Sequence, residues 1–440
     1  MSIITIFLAG QLLGLQCSDL PALLDDELSP PLQINSSVAA GKRDFMLAWQ
    51  LGQPYDGATH SKIQLAARLS NGQWIAYPSA LTSGLTNAVQ ANPKLAFNGR
   101  YLLIWQEYNE VNGWDIQGAI LAVNDKIEVI KNITLSNAPD NQTSAFVTRH
   151  NSGFAISWMS YLDEFYRPYV VTMDQQGTVL HQGYLTRSDS KVESYTPGWG
   201  YQTHAGKSDS VRYIKGQNAV LQSIDEQLWI AWEDKTIWSP GKKGSISWHY
   251  SPLTASKKGW STDTILKAPS PLIGRTNGTL GCYIDEVCIA SGASIVGRGQ
   301  KMAPAFRFNP KLSTIYPANV ELKRKHSGWD KATLYPLFNE GYSLYGPISQ
   351  AIDTKHKLLI TASVAKTHRK HEGDLYQLLL AETYGMESTK REHLPYTSTT
   401  PIRNPSVAAN DAYRLVTFER ALANGGIKLH QCFWQAGDAR

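Results

Sequence analysis

The residues with the clearest potential for chemistry are histidines, tyrosines and arginines in the polar segments of the sequence. His204 lies close to Tyr201 and Arg212, and His249 directly precedes Tyr250. β-Elimination of a uronate needs a cation on the carboxylate, a base for the adjacent proton and an acid for the leaving oxygen. We therefore assign His204, Tyr201, Arg212 and His249 as candidate catalytic residues that would cleave an acidic polysaccharide.

Basic and aromatic residues accompany these histidines. Lysine and arginine bind carboxylate or sulfate groups, and aromatic rings offer flat apolar surfaces to sugars. The formal net charge of +5 is modest for binding nucleic acid by bulk charge, so no nucleic-acid partner is expected. The predicted ligand is an acidic polysaccharide or another glycan, and its candidate binding residues are Trp199, Lys235, Trp238, Arg298, His326, Trp329, His368 and Arg369.

Other chemistries have weaker support. A glycoside hydrolase, the second choice, would need two carboxylates at one site, and no spacing singles out a pair among Asp163, Glu164, Asp234, Asp330, Glu372 and Asp374. His368, His371 and Glu372 have a metal-ligand spacing but suit a solvated loop equally well. No metal or other cofactor is therefore predicted, and the polar loops can also be read as simply solvated, with aromatics packed beneath them.

A repeat positions these residues. In its clearest unit, 92–100 leads through an Asn-Gly turn, expected to be type I′, into the strand 101–105, which ends in Trp105. The segments 115–121 and 127–133 add two more alternating strands. Four antiparallel strands joined in this way make one blade of a β-propeller.

Counterparts of the strand that ends in Trp105 recur along the whole chain. Most are 53 to 59 residues apart, and the two longer gaps place extra residues in 186–216 and 322–346, where repeat proteins commonly carry binding loops. We call these seven segments the anchor strands; they are 45–49, 101–105, 154–158, 228–232, 287–291, 358–362 and 414–418.

Seven anchor strands predict an all-β, seven-bladed propeller with four-stranded antiparallel blades. The last unit, 404–440, has room for about three strands, so an N-terminal strand within 18–28 is expected to complete it and close the ring. The loops after the anchor strands and both insertions would then share one face of the disc. A β-sandwich array or six blades is the alternative, because units five and six lack the tryptophan.

The run 92–105, followed by Trp-Asp-Ile-Gln-Gly-Ala-Ile at 114–120, resembles a repeat of exported bacterial β-propeller proteins, and 404–410 matches its first half. The resemblance implies the fold and export but carries no catalytic motif. The expected architecture is also similar to that of propeller polysaccharide lyases. An exported lyase is thus the favoured interpretation, and a non-catalytic glycan- or protein-binding propeller at the cell envelope is the alternative.

The N-terminus supports export. Residues 1–17 contain a short apolar run that is typical of a signal peptide, and Gly-Leu-Gln-Cys at 14–17 is similar to a lipoprotein signal with Cys17 as the lipid anchor. The rest, 18–440, is predicted to be one monomeric domain that is secreted, periplasmic or tethered to the outer membrane, with no membrane span. Cys282 and Cys288 either pair in an oxidising compartment or remain buried thiols.

Overall fold

The computed structural model consists of β-strands and their connections. It describes residues 16–21, 32–52, 61–78, 81, 89–139, 141–162, 165–187, 217–224, 226–235, 246–257, 259–262, 266–267, 279–282, 288–291, 304–308, 334–336, 349–353, 358–369, 373–384 and 389–436. Within these ranges there is no helix, and hence no helical segment that could cross a membrane.

The first half of the chain forms three consecutive antiparallel meanders, which we number by position along the chain. Sheet 1 contains β2 (Gln33–Ala40), β3 (Phe45–Leu51), β4 (Lys62–Arg68) and β5 (Trp74–Ala76). Sheet 2 contains β6 (Val89–Phe97), β7 (Tyr101–Asn109), β8 (Gly113–Val123) and β9 (Ile127–Thr134). Sheet 3 is built on β10 (Gln142–His150), β11 (Gly153–Leu162), β12 (Phe165–Asp174) and β13 (Val179–Arg187).

The second half repeats this plan. Sheet 4 contains β14 (Gln217–Ile224), β15 (Gln227–Lys235), β16 (Ile246–Pro252) and β19 (Leu266–Lys267). Sheet 5 contains β20 (Thr279–Cys282), β21 (Cys288–Ser291), β22 (Pro304–Phe308) and β23 (Leu334–Pro336). Sheet 6 contains β24 (Ser349–Asp353), β25 (Leu358–Arg369), β26 (Gly373–Tyr384) and β27 (Thr389–Ser398).

Sheet 7 combines the two ends of the chain. It contains β28 (Ile402–Ala409), β29 (Tyr413–Ala421) and β30 (Ile427–Gln435), and its fourth strand is β1 (Gln16–Asp19), which pairs antiparallel with β30. The Sγ atoms of Cys17 and Cys432, which are register partners in this pair, form a disulfide with an S–S distance of 2.03 Å. The thiol of Cys17 is therefore not available for a lipid, and the predicted lipid anchor at Cys17 is wrong for this structure.

The predicted anchor strands all lie in second strands: β3, β7, β11, β15, β21, β25 and β29. The turn after β6 differs from its prediction. Gly99 has a φ of +77° but Asn98 does not share the left-handed conformation, so the turn is not type I′. Cys282 and Cys288 are register partners in β20 and β21, but their side chains lie outside the described part, and their disulfide stays a prediction.

The first strands of the sheets contact one another in a cyclic order: β2, β6, β10, β14, β20, β24 and β28, with β28 returning to β2. Hydrophobic clusters fill the spaces between neighbouring sheets. Trp105 of sheet 2 packs against Ile63 and Leu65 of sheet 1, and Trp158 of sheet 3 packs in the cluster that includes Ile104 of sheet 2. In sheets 1, 2, 3, 4 and 7 the aromatic residue of the anchor strand therefore packs against the preceding sheet, which is the packing plan of a β-propeller.

Sheet 3 carries two additional strands. After β16, the chain leaves sheet 4 to form β17 (Thr254–Ser256) and β18 (Gly259–Thr262), and β18 pairs in parallel with β13. Trp260 is buried against sheet 3, where its Nε1 donates a hydrogen bond to the carbonyl of Val170 at 3.0 Å. Nothing in the repeat predicted this excursion.

Candidate functional site

Most of the predicted site falls outside the described residues. This holds for Trp199, Tyr201, His204, Arg212, Trp238, Arg298, His326 and Trp329, whose roles remain predictions. Lys235 ends β15, and His249 lies in β16 opposite Trp232, so their backbone positions are known while their side chains are not described.

His368 and Arg369 are the predicted binding residues that the structure does describe, at the exposed end of β25. His368 Nδ1 lies 2.9 Å from Asp374 Oδ1, and Lys366 Nζ lies 2.6 Å from the other oxygen of the same carboxylate. The hydrogen bond from Lys366, then that from His368, lowers the pKa of Asp374. His368 and Lys366 thus both contact the Asp374 carboxylate, and the exposed Arg369 follows His368 in the chain.

Two pairs of aromatic side chains stand at the ends of neighbouring hairpins, and the sequence reasoning missed both. Tyr108 and Trp114 face each other across β7 and β8 with ring centroids 5.5 Å apart. Tyr161 and Tyr166 do the same across β11 and β12 at 5.2 Å. All four rings are partly exposed, and Tyr108 is 40% exposed. We call these four residues the aromatic rim.

Asn141 joins the two halves of the aromatic rim. Its side-chain Oδ1 accepts a hydrogen bond from the N–H of Trp114 at 3.1 Å, and its carbonyl accepts one from the N–H of Tyr161 at 3.0 Å. One residue is therefore within hydrogen-bonding distance of both hairpin ends. The two pairs consequently form one neighbouring set of flat apolar surfaces at the edge of sheets 2 and 3.

A pair of carboxylates lies just inside this rim. Glu107 and Asp115 are opposite each other in β7 and β8, and both are buried. Glu107 Oε2 accepts hydrogen bonds from Trp105 Nε1 at 3.1 Å and Gln90 Nε2 at 3.0 Å. Burial raises the pKa of Asp115, and the Glu107 carboxylate raises it further, against three hydrogen bonds from Asn112, Asn109 and Ser136. Glu107 Oε2 and both Asp115 oxygens thus accept hydrogen bonds from protein donors, whereas Glu107 Oε1 is buried without a hydrogen-bond partner among the described residues.

A channel runs between the first strands. Its volume is about 600 Å³, and strands from six sheets line it: β2, β6, β10, β14, β24 and β28. These first strands repeat an irregularity, since the pairing register shifts after Ile34 in β2, after Ala91 in β6 and after Arg403 in β28. The shift marks a β-bulge, which re-aims the strand at the channel.

An asparagine with a left-handed backbone occupies each of these three bulges: Asn35, Asn92 and Asn404 have φ values of +54°, +53° and +50°. Each donates its side-chain amide to a polar residue directly after the anchor-strand aromatic of its own sheet. Asn35 donates to Gln50 at 3.0 Å and Asn92 to Gln106 at 2.7 Å. Asparagine suits this position because it tolerates positive φ better than most residues.

The same acceptors tie neighbouring sheets together. Gln50 Oε1 accepts the backbone N–H of Asn92 at 3.3 Å, and Glu419 Oε1 accepts that of Asn35 at 2.7 Å. Glu419 also binds the amide of Asn404 and the Nε of Arg403, the latter at 2.7 Å. The N–H groups of Asn92 in β6 and Asn35 in β2 thus find acceptors in side chains of the preceding sheet. We call these hydrogen bonds the channel belt.

Within the described residues, no group of three or more His, Cys, Asp or Glu is placed to hold a metal ion. The polar groups of the channel belt are hydrogen-bonded to one another, whereas the rings of the aromatic rim are partly exposed to solvent.

Comparisons with known proteins match the fold. No protein-family model and no curated protein matches the sequence. Among solved structures, the endosialidase of phage phi92 aligns with 97% of this chain and 70% of its own, at a TM-score of 0.50 and 7% identity. A protein of unknown function from Dyadobacter fermentans aligns over 96% and 99% (TM-score 0.48, 11% identity), and a Trypanosoma rangeli sialidase over 93% and 55% (TM-score 0.46, 7% identity). At such identities the likeness shows a shared fold alone: this chain has an all-β, propeller-like architecture of the kind found in that endosialidase.

Proposed function

We propose that the protein is an exported, seven-bladed propeller whose ring is closed by β1. The cyclic contacts of the first strands and the pairing of β1 with β30 support closure. The Cys17–Cys432 disulfide supports export, because structural disulfides persist in oxidising compartments. The secreted, periplasmic or envelope location predicted from the N-terminal apolar run fits this proposal. A signal peptide would have to end before Gln16, not at Cys17, because β1 spans Gln16–Asp19 and begins before the predicted range 18–28.

The function that the geometry supports best is glycan binding at the aromatic rim. The observation that carries it is the placement of two partly exposed ring pairs around one residue, Asn141. Sugar rings have apolar faces that pack on aromatic side chains, while their hydroxyl groups bind polar edges. Asn109 and Asn112 lie on the hairpin that carries Tyr108 and Trp114, where their amides donate to Asp115 and Asn137 and hold the hairpin end in place.

An acidic glycan is the favoured ligand class. Lys366 and Arg369 add positive charge at the end of β25, and the predicted loops of sheets 4 and 5 carry further lysines and arginines. Charged groups at the edge of a site act mainly by steering an oppositely charged ligand and by setting its salt dependence. We therefore expect the rim to set affinity and the cationic residues to set the preference for polyanions.

Binding can be tested with a panel of neutral, uronic-acid and sulfated polysaccharides in gel retardation or calorimetry. Trp114→Ala should weaken binding about tenfold, because the main flat surface is removed. Tyr413→Ala is the matched control: Tyr413 is also a partly exposed ring, stacked on Phe433 at 5.0 Å, but it lies at the start of β29. Equal losses in the two variants, or no effect of Trp114→Ala, would contradict binding at the aromatic rim.

Cleavage by β-elimination is the finer proposal, carried from the sequence by His204, Tyr201, Arg212 and His249. The same panel tests it, because each cleavage forms an unsaturated uronate that absorbs ultraviolet light. Turnover that disappears in His204→Ala and His249→Ala, with binding retained, would support a lyase. Binding without any new absorbance would leave a non-catalytic, glycan-binding propeller.

A further inference from the structure

Three first strands place a serine at the same position in the channel, whereas sheet 2 has Lys94 there and sheets 3 and 4 have Phe146 and Val220. Beyond the bulges, the hydroxyl of a first-strand serine accepts a backbone N–H from the first strand of the next sheet. Ser349 accepts from Val407 at 3.1 Å, Ser406 from Val38 at 3.1 Å, and Ser37 from Leu95 at 3.0 Å. Three consecutive contacts between sheets 6, 7, 1 and 2 thus use the same pair of positions.

The next contact in this series cannot form in the same way. The register resumes at Ser37 in β2, at Ser406 in β28 and at Lys94 in β6, so Lys94 holds the serine position of sheet 2. The matching N–H in sheet 3 belongs to Val147, the residue after the resumption of register at Phe146. A lysine ammonium has three donors and no acceptor, so it cannot receive that N–H.

Lys94 also places a positive charge at the wall of the channel. Its side chain lines the channel, and within the described part of the chain no group accepts a hydrogen bond from its ammonium. Burial lowers the pKa of Lys94, and the nearby Glu419 carboxylate opposes this. Glu419 itself is neutralised by Arg403 and by two amide donors, so it does not pair with Lys94.

We propose that the channel holds a small-oxyanion site, at which a carboxylate or phosphate bridges the Lys94 ammonium and the N–H of Val147. Both residues line the same cavity, whose volume of about 600 Å³ has room for such an anion and its water. An anion supplies an acceptor of the kind that Ser349, Ser406 and Ser37 supply in the other sheets, and it balances the charge of Lys94. This site is separate from the aromatic rim and does not depend on glycan binding.

The test uses the full chain in a bulky sulfonate buffer at constant ionic strength. Thermal unfolding is followed while acetate, or in a second series phosphate, replaces the buffer anion. Wild type should show a saturating rise of about 2–5 °C in Tm, since a ligand that binds only the folded state stabilises it. Whichever anion saturates at the lower concentration identifies the preferred class.

Two variants locate the site. Lys94→Ser restores the residue used in sheets 7 and 1, so it should fold and should lose the saturating response; Lys94→Gln is a second variant with nearer volume. Lys126→Ser removes one positive charge from a side chain that is 76% exposed and should keep the response. A response that is absent in wild type, or equal in wild type and both Lys94 variants, would overturn the proposal.

Discussion

Sheets 2 and 7 have the same four-strand plan but obtain their outer strands differently. In sheet 2 all four strands follow one another from Val89 to Thr134, whereas the outer strand of sheet 7, β1, comes from the opposite end of the chain. β9 is delivered by the three-residue turn after β8, but β1 must find β30 across a sequence separation of more than 400 residues. Closing so long a loop costs entropy that a short turn does not.

Sheet 7 accordingly carries cross-links that sheet 2 lacks. The Cys17–Cys432 disulfide joins β1 to β30, and His430 Nδ1 lies 2.9 Å from Asp19 Oδ1 in the same strand pair. Gln431 Nε2 also donates to Ser18 Oγ at 3.4 Å. The comparison indicates that a strand without a local turn is held by side-chain chemistry, and this chemistry is sensitive to redox state and pH.

Loss of the disulfide should have the largest effect. Cys432→Ser is expected to lower the free energy of unfolding by about 4–5 kcal/mol, because the cross-link constrains a very long loop in the unfolded chain. Hydrogen exchange should show earlier loss of protection in β1 and β30 than in β8 and β9. If the amides of sheets 2 and 7 lost protection equally, the stabilisation by the Cys17–Cys432 disulfide would not be specific to sheet 7.

Acidification should have the second-largest effect on the stability of sheet 7. His430 is buried, and burial lowers its pKa from 6.5 to about 4, with the Asp19 carboxylate opposing the shift. Between these two pH values the unfolded chain binds more protons at His430 than the folded chain does. The free energy of unfolding should therefore fall as pH decreases through this window, by up to about 3 kcal/mol, and this contribution should level off below pH 4.

Exchange of the β30 amides at several pH values measures this effect. His430→Asn removes the titrating group and should flatten the pH dependence of sheet 7, while that of sheet 2 is unchanged. An equally steep pH dependence in His430→Asn would show that another group is responsible.

Substitutions in the channel belt should give the smallest difference in the free energy of unfolding between sheets 7 and 2. Glu419→Ala leaves the N–H of Asn35, the amide of Asn404 and the charge of Arg403 without their acceptor. We therefore expect the free energy of unfolding to fall by about 2–3 kcal/mol. Gln106→Ala is the counterpart in sheet 2, where one amide hydrogen bond from Asn92 is lost, at about 1 kcal/mol. Chemical denaturation of both variants tests the order, and a reversed order would contradict a charge-assisted belt at sheet 7.

The local features of the fold were predictable from the sequence. Short, nearly continuous apolar runs lead to Trp49, Trp105 and Trp158, which is typical of a strand buried on both faces, and each of these strands is where the repeat predicted it. The strand at Trp105 is longer than expected, Tyr101–Asn109 instead of 101–105, because the hairpin continues through the mostly polar segment 106–109. Hydrophobic patterning does not report such polar extensions.

Contacts between distant residues were not predictable in this way. Cys17 and Cys432 carry no spacing that marks them as partners, and an apolar N-terminus suggested a different role for Cys17. The channel belt did leave a signal: a polar residue follows the anchor aromatic at Gln50, Gln106 and Glu419. That recurrence becomes informative only once the sheets are known to surround a channel, because each acceptor serves the next sheet.

The strands β17 and β18 connect sheets 3 and 4 through hydrogen bonds, in addition to the chain segment that joins β13 to β14. They belong to the segment that builds sheet 4, yet β18 is hydrogen-bonded to β13 at the outer edge of sheet 3. A protease cut between 187 and 217 would sever the chain between these sheets but leave β13 bound to β18. The two fragments should therefore stay together after nicking, and new chain termini at this point should be tolerated better than termini placed between β16 and β17.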